Sequence, residues 1–188
     1  MRTETDWEAV HQRQTDRAQE VLGWCWRLLA LDRGDTVLDL GCGPGYPAAW
    51  IAERIEPGAV IAVDRDSGAL TYLRCQHPTP SIVTMLGDIR YLPLRFDGPI
   101  PTLLTFVLHH IDRPVDAIES IGTALPAGSP VIIAEYRPSA AGDVGPPLDR
   151  RISSAAIRRW LRRAGFTVEH ERPLPNEKVV ILARRCSS

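Results

Sequence analysis

No apolar run in the 188-residue chain reaches the length of a membrane span, no Cys-x-x-Cys pair occurs, and the formal net charge is only −1. Without a stretch of about 20 apolar residues, no helical membrane span is expected. The first residues, Met1–Glu8, are polar and acidic, so neither a signal peptide nor a transit peptide is expected. Cys25, Cys42, Cys75 and Cys186 are too scattered for a zinc site or a disulfide frame. They predict free thiols, no bound metal and a reducing, cytoplasmic setting. The near-zero charge excludes a polyanion binder acting through bulk charge. Lys178 is the only lysine, all other basic residues being arginines. Guanidinium forks suit phosphates and carboxylates, although a chain-wide preference also follows from genomic composition.

What is present is an alternation of two hydrophobic periods. Residues 7–30 place Trp7, Val10, Ala18, Val21, Leu22, Cys25, Leu28 and Leu29 near one helical face, and Gly34 follows. Strands are predicted over 37–40, 59–63, 82–86, 102–107, 130–134, 166–171 and 178–183. Helices are predicted over 47–55, 67–75, 114–125 and 153–164. Pro47 and Pro114 suit first helical positions, Ser67 an N-cap, and Gly165 a helix end. A Pro/Gly-rich loop spans Arg137–Pro147. Alternation of this kind gives a doubly wound, mostly parallel sheet of seven strands with helices on both faces. Pro173, Pro175 and Asn176 leave no room for a crossover helix before the last strand, which therefore pairs antiparallel. Nothing marks a second-domain boundary or an internal repeat.

The most informative stretch is Val37–Gly45, where a buried strand runs into Gly41, Gly43 and Gly45 and a helix follows at once. Glycines there let the backbone approach a ligand closely. Strand 59–63 ends on Asp64, placed to accept both hydroxyls of a ribose. Tyr46 stands where the dinucleotide fingerprint needs its third glycine, and no Gly-Lys-Ser/Thr follows, so neither a nicotinamide site nor a Walker site is met. A cofactor with ribose hydroxyls and no pyrophosphate fits better.

On these residues the chain resembles the class I S-adenosylmethionine-dependent methyltransferases. Asp39, Gly41, Cys42, Gly43 and Gly45 look like that family's first motif, around the methionine moiety. Asp64 resembles its ribose-binding acid, flanked by Val63 and Arg65, and Gly87-Asp88-Ile89 its third motif, whose acid takes the adenine amino group. Leu108–Ile111 and Val131–Pro138 resemble the fourth and fifth strand ends of the ubiquinone/menaquinone-biosynthesis type branch. The resemblance spans about Thr36–Arg184. It implies a Rossmann-like domain over 35–188 and a helical lid over 1–34. It also implies S-adenosylmethionine as cofactor, S-adenosylhomocysteine as product, and Val107 beside the cofactor.

Methyl transfer from a sulfonium is an in-line displacement, so holding the acceptor collinear can supply much of the rate. A base is needed only for a protonated acceptor. The candidates are His109, His110 and Glu135, each with a bland alternative: pocket lining or helix capping for the histidines, an ion pair with Arg137 for Glu135. Tyr46 and Trp7 are candidate walls of the acceptor pocket. The Asn/Asp-Pro-Pro-Tyr/Phe signature of amino-group methylases is absent, and Ile100-Pro101-Thr102 stands where the family's fourth strand opens with an acid. The expectation is a monomeric or homodimeric enzyme acting on a small-molecule acceptor. Two readings stay open beside it. One is an RNA or protein methyltransferase using the basic group Arg150, Arg151, Arg158, Arg159, Arg162 and Arg163; the other is an inactive S-adenosylmethionine-binding partner protein.

Overall fold

The structure, a computed structural model, describes residues 5–138 and 145–187. Much of the predicted Arg137–Pro147 loop, residues 139–144, lies outside the described residues, as do 1–4 and 188. The elements are α1 (Trp7–Leu29), β1 (Thr36–Leu40), α2 (Tyr46–Ile55), β2 (Ala59–Asp64), α3 (Ser67–Gln76), β3 (Ile82–Leu86), β4 (Thr102–Thr105), α4 (Pro114–Ala124), β5 (Pro130–Tyr136), α5 (Ser154–Arg163), β6 (Phe166–Pro173) and β7 (Lys178–Arg185). One sheet has the order β3-β2-β1-β4-β5-β7-β6. Pairings from β3 through β5 are parallel, and β7 runs antiparallel to both β5 and β6. The seven-stranded Rossmann-like architecture expected from the alternation is therefore the one observed.

Period-2 alternation along the central strands sorts their side chains between two cores. Leu38 and Leu40 of β1 join Leu104, Ile118, Ile121, Ile133, Ile157 and Leu161 under α4 and α5. Val37 joins Val21, Leu22, Cys25, Ile51, Val60 and Leu103 under α1 and α2. Lys178 is buried at the start of β7, donates to the Arg17 carbonyl at 3.0 Å and pairs with Glu20 at 3.7 Å. The single lysine thus ties the middle of α1 to the sheet.

Two local expectations need correcting. The N-cap of α3 is Asp66, not Ser67: its carboxylate accepts from the Gly68 and Ala69 amides at 2.8 and 3.3 Å. The fourth strand stops at Thr105 and does not reach 107. Phe106 turns left-handed at φ 59°, and a 3-10 turn, Leu108–His110, follows. Glu135, buried at the end of β5, draws the chain into that turn by accepting from the Leu108 amide at 2.7 Å.

Candidate cofactor and acceptor site

Successive strands fill the sheet outward from β1 to β3 on one side and from β4 to β5 on the other. The order therefore reverses between β1 and β4, and crevices for ligands open at the carboxyl ends of such a pair. A cavity of about 700 Å³ lies there, within the usual range for small-molecule sites.

Its floor is the turn after β1. Gly41, Gly43 and Gly45 all have positive φ, at 74°, 55° and 89°. A Cβ on Gly41 would stand 2.5 Å from Val107 Cγ1, and one on Gly45 2.1 Å from Leu73 Cδ1. The turn can be this tight only without side chains. Asp64 closes it from the neighbouring strand. One of its oxygens accepts from the Gly43 amide at 2.8 Å, the other from the Asp66 amide at 2.9 Å. A carboxylate offers about four lone-pair sites, so two remain for a vicinal diol. Further along, Asp88 holds Arg90 through contacts of 2.5 to 3.1 Å, and the guanidinium keeps its carboxyl below the usual carboxylate range. A turn without side chains, a carboxylate fixed with lone pairs to spare and a second carboxylate along one cavity wall suit an adenosyl cofactor with no pyrophosphate.

Gly41, Gly43, Asp64, Arg65, Gly87, Asp88, Ile89 and Val107 line the cavity, as do His109 and His110. Asp39, Cys42 and Gly45 do not line it. Asp39 shares the face of Val37, because side chains alternate along β1, and points into the core toward Cys25. Neither of its carboxylate oxygens has a hydrogen-bond partner among the described residues, and burial, then the charge of Asp64, pushes its pKa up to about 7. Cys42 turns its thiol inward to the Gly43 carbonyl, and Gly45 serves as the N-cap position of α2.

Glu135 does not line the cavity either. It is fully buried and accepts from His109 Nδ1 at 2.8 Å, so its partner is His109 and not Arg137. A carboxylate oxygen accepts, so Nδ1 is the donor in this pair and Nε2 is the ring nitrogen left for other contacts. The His109 and His110 rings stack with centroids 4.1 Å apart. Protein crowded around His110, with His109, Arg65 and Arg150 nearby, pushes its pKa down to about 4. His110 is therefore neutral through the physiological range.

The first helix forms one wall through Trp7, Val10, Arg13, Gln14 and Arg17. Tyr46 is not in the wall: it packs edge-on against His11, 5.9 Å between centroids. Gln14 ties α1 to the glycine turn, donating to the Cys42 carbonyl at 3.3 Å and accepting from the Tyr46 amide at 3.4 Å. Its site role was missed in the sequence, where the one available signal is a polar residue interrupting the apolar stripe between Val10 and Ala18. Arg150 and the 145–147 segment complete the rim. Arg151 anchors that segment as a buried guanidinium on the Pro146 and Arg137 carbonyls and on Glu177. The predicted basic group is therefore dispersed: Arg158 pairs with Glu171 and Arg163 with Glu119, and no residue of α5 lines the cavity.

Residues 37–128 match a methyltransferase domain family. A tRNA U34 carboxymethyltransferase of Hahella chejuensis is 32% identical over 76% of this chain and 49% of its own length. The N-demethylindolmycin N-methyltransferase of Streptomyces griseus is 30% identical over 73% of this chain and 65% of its own. The chain thus spans about half to two thirds of these relatives. A crystal structure of an S-adenosylmethionine-dependent methyltransferase from Aquifex aeolicus superposes with a TM-score of 0.80, covering 96% of this chain and 98% of that one at 19% identity, which is a likeness of fold. With the matched domain over 37–128, the sheet order and the glycine turn held by the Asp64 carboxylate, the chain carries a methyltransferase domain on the class I S-adenosylmethionine-dependent methyltransferase fold.

Proposed function

We propose that this chain transfers a methyl group from S-adenosylmethionine to a small-molecule acceptor. The observation that carries the reading is the Asp64 carboxylate, fixed by the Gly43 and Asp66 amides inside the same cavity that His109 and His110 face. Gly41 and Gly43 would lie under the methionine moiety, Asp64 would take the ribose hydroxyls, and Asp88 with Ile89 would face the adenine. When bound, the cofactor supplies a methyl on sulfur whose S–C bond breaks, its electron pair passing to sulfur as the acceptor atom takes the methyl.

The chain's own residues position and deprotonate. His109 Nε2 is the proton acceptor for an O–H, S–H or N–H acceptor, because Glu135 holds its other nitrogen in the donor state. Glu135 acts through His109 and the turn, so it is a positioning residue. The α1 helix covers the cavity as a lid.

The experiment is acceptor-dependent release of S-adenosylhomocysteine across phenols, thiols and amines, with wild type and His109→Ala. Release that falls about 10²-fold or more in the variant supports the reading. Cofactor binding without acceptor-dependent release would make the chain a binding partner instead. A second reading, an RNA acceptor, is favoured by the similarity to tRNA U34 carboxymethyltransferases; methyl incorporation into transfer RNA would establish it.

A further inference from the structure

The cavity is divided electrostatically. Its acids, Asp64, Asp66 and Asp88, sit at or just after the ends of β2 and β3, the wall assigned above to the ribose and adenine. The opposite wall, built from α1, the 3-10 turn after β4 and the 145–150 segment, holds Arg13, Arg17 and Arg150 with no acid among its described lining residues. Arg13 and Arg17 have no ion-pair partner among the described residues, and only a backbone carbonyl of Arg17 is engaged, by Lys178. Among the described residues Arg150 forms one ion pair, with Asp112 at 3.5 Å, both side chains being largely in solvent. Such an exposed pair contributes little and is readily exchanged.

The three guanidinium groups of this wall repel one another, Arg65 and the Asp88-paired Arg90 lie across the cavity beside the acids, and a sulfonium over the glycine turn would add a further positive charge to the same space. The cofactor's single carboxylate can offset one of them. A second anion between the remaining ones would relieve that repulsion, and planar forks favour an oxyanion bound through paired N–H groups. The α5 arginines that would extend this field along a nucleic acid are elsewhere, two of them paired with glutamates. We propose that Arg13, Arg17 and Arg150 form a receiving site for an oxyanion carried by a small-molecule acceptor, a carboxylate or phosphate group that anchors the molecule while its nucleophile faces His109. The inference rests on the methyltransferase reading of this cavity.

The test is calorimetric titration of inorganic phosphate into the full chain in phosphate-free buffer, with and without saturating S-adenosylhomocysteine. The variants are Arg13→Gln, Arg17→Gln and Arg150→Gln, with Arg159→Gln on α5 as control. Arg13 and Arg150 are exposed, so folding tolerates their replacement; unchanged thermal midpoints check this for all four. The expected result is saturable binding that weakens about tenfold in at least two of the three cavity variants and not in Arg159→Gln. Affinity for S-adenosylhomocysteine stays within about twofold in those two.

No saturable phosphate binding overturns the proposal, as does binding that fewer than two of the three variants weaken. So does a parallel loss of S-adenosylhomocysteine affinity in all three, which would assign the arginines to the cofactor's carboxylate. A single-stranded oligoribonucleotide that binds over a hundredfold tighter than phosphate, with the same arginine dependence, overturns it in favour of a nucleic-acid acceptor. Failure of the wild type to bind S-adenosylhomocysteine in these titrations is a separate result, and it tells against the methyltransferase reading itself.

Discussion

Asp39 carries a buried carboxylate whose two oxygens have no donor among the described residues, and burial, with a smaller contribution from the charge of Asp64, raises its pKa to about 7. An acid whose folded pKa is raised contributes stability below its unfolded value, near 4, that is lost as pH rises through the folded value. Asp39→Asn should therefore raise the thermal midpoint at pH 8, by several degrees at about 2–4 °C per kcal/mol. The gain should shrink toward pH 5; equal midpoints at pH 8 would contradict the assignment of a strained charge. Glu135 is the opposite case, a buried carboxylate with its donors in place at Leu108 and His109. Glu135→Gln keeps the shape and removes the charge, so kcat should fall more than KM rises, and the acid limb of the pH–rate profile should move. A loss of stability without a change in profile shape would leave Glu135 with a purely structural role. The glycine turn and Asp64 were readable in sequence because a ligand-hugging turn needs particular residue types. The direction of Asp39 was not, since a motif letter does not say which face of β1 its side chain takes.

Among the elements, α1 joins sequence signal to function most directly. Its apolar stripe announced a helix, and the structure adds what holds it: Asp6 caps it, Gln14 bridges to the glycine turn, and Lys178 reaches its backbone. Lys178→Met keeps the stem and removes both polar contacts, which should cost about 1–3 kcal/mol in urea unfolding. It should also weaken S-adenosylhomocysteine binding if α1 is the lid; unchanged affinity would argue against that role. The helix also rests on α3 through His11 and His77, ring centroids 5.5 Å apart, with Tyr46, Tyr72 and Glu53 around them. Burial, then His11, lowers the His77 pKa. A base with a lowered folded pKa contributes stability above its unfolded value of about 6.5 that is lost as pH falls below it. His77→Phe should narrow the gap between thermal midpoints at pH 7.5 and pH 5.5, whereas an unchanged gap would place the acid sensitivity elsewhere. None of this contact was legible from periodicity, which identifies a helix but not the groups facing it from distant parts of the chain. The 3-10 turn after β4 escaped for the same reason, being imposed by a carboxylate on β5.

At the scale of the molecule, the alternation of periods was enough to give the sheet, its antiparallel last strand and the position of the crevice, because right-handed crossovers leave few other arrangements. It could not give the charge division of the cavity, which depends on residues of α1, the segment after β2 and the 145–150 segment meeting only in the fold. The same assembly makes the central claim testable without knowing the acceptor. The direct measurement is calorimetric titration of S-adenosylhomocysteine into the wild-type chain and into Asp64→Ala. Micromolar binding by the wild type, at least tenfold weaker in the variant, is the predicted result. No binding by the wild type, or equal binding by both, would contradict the placement of the cofactor at the glycine turn.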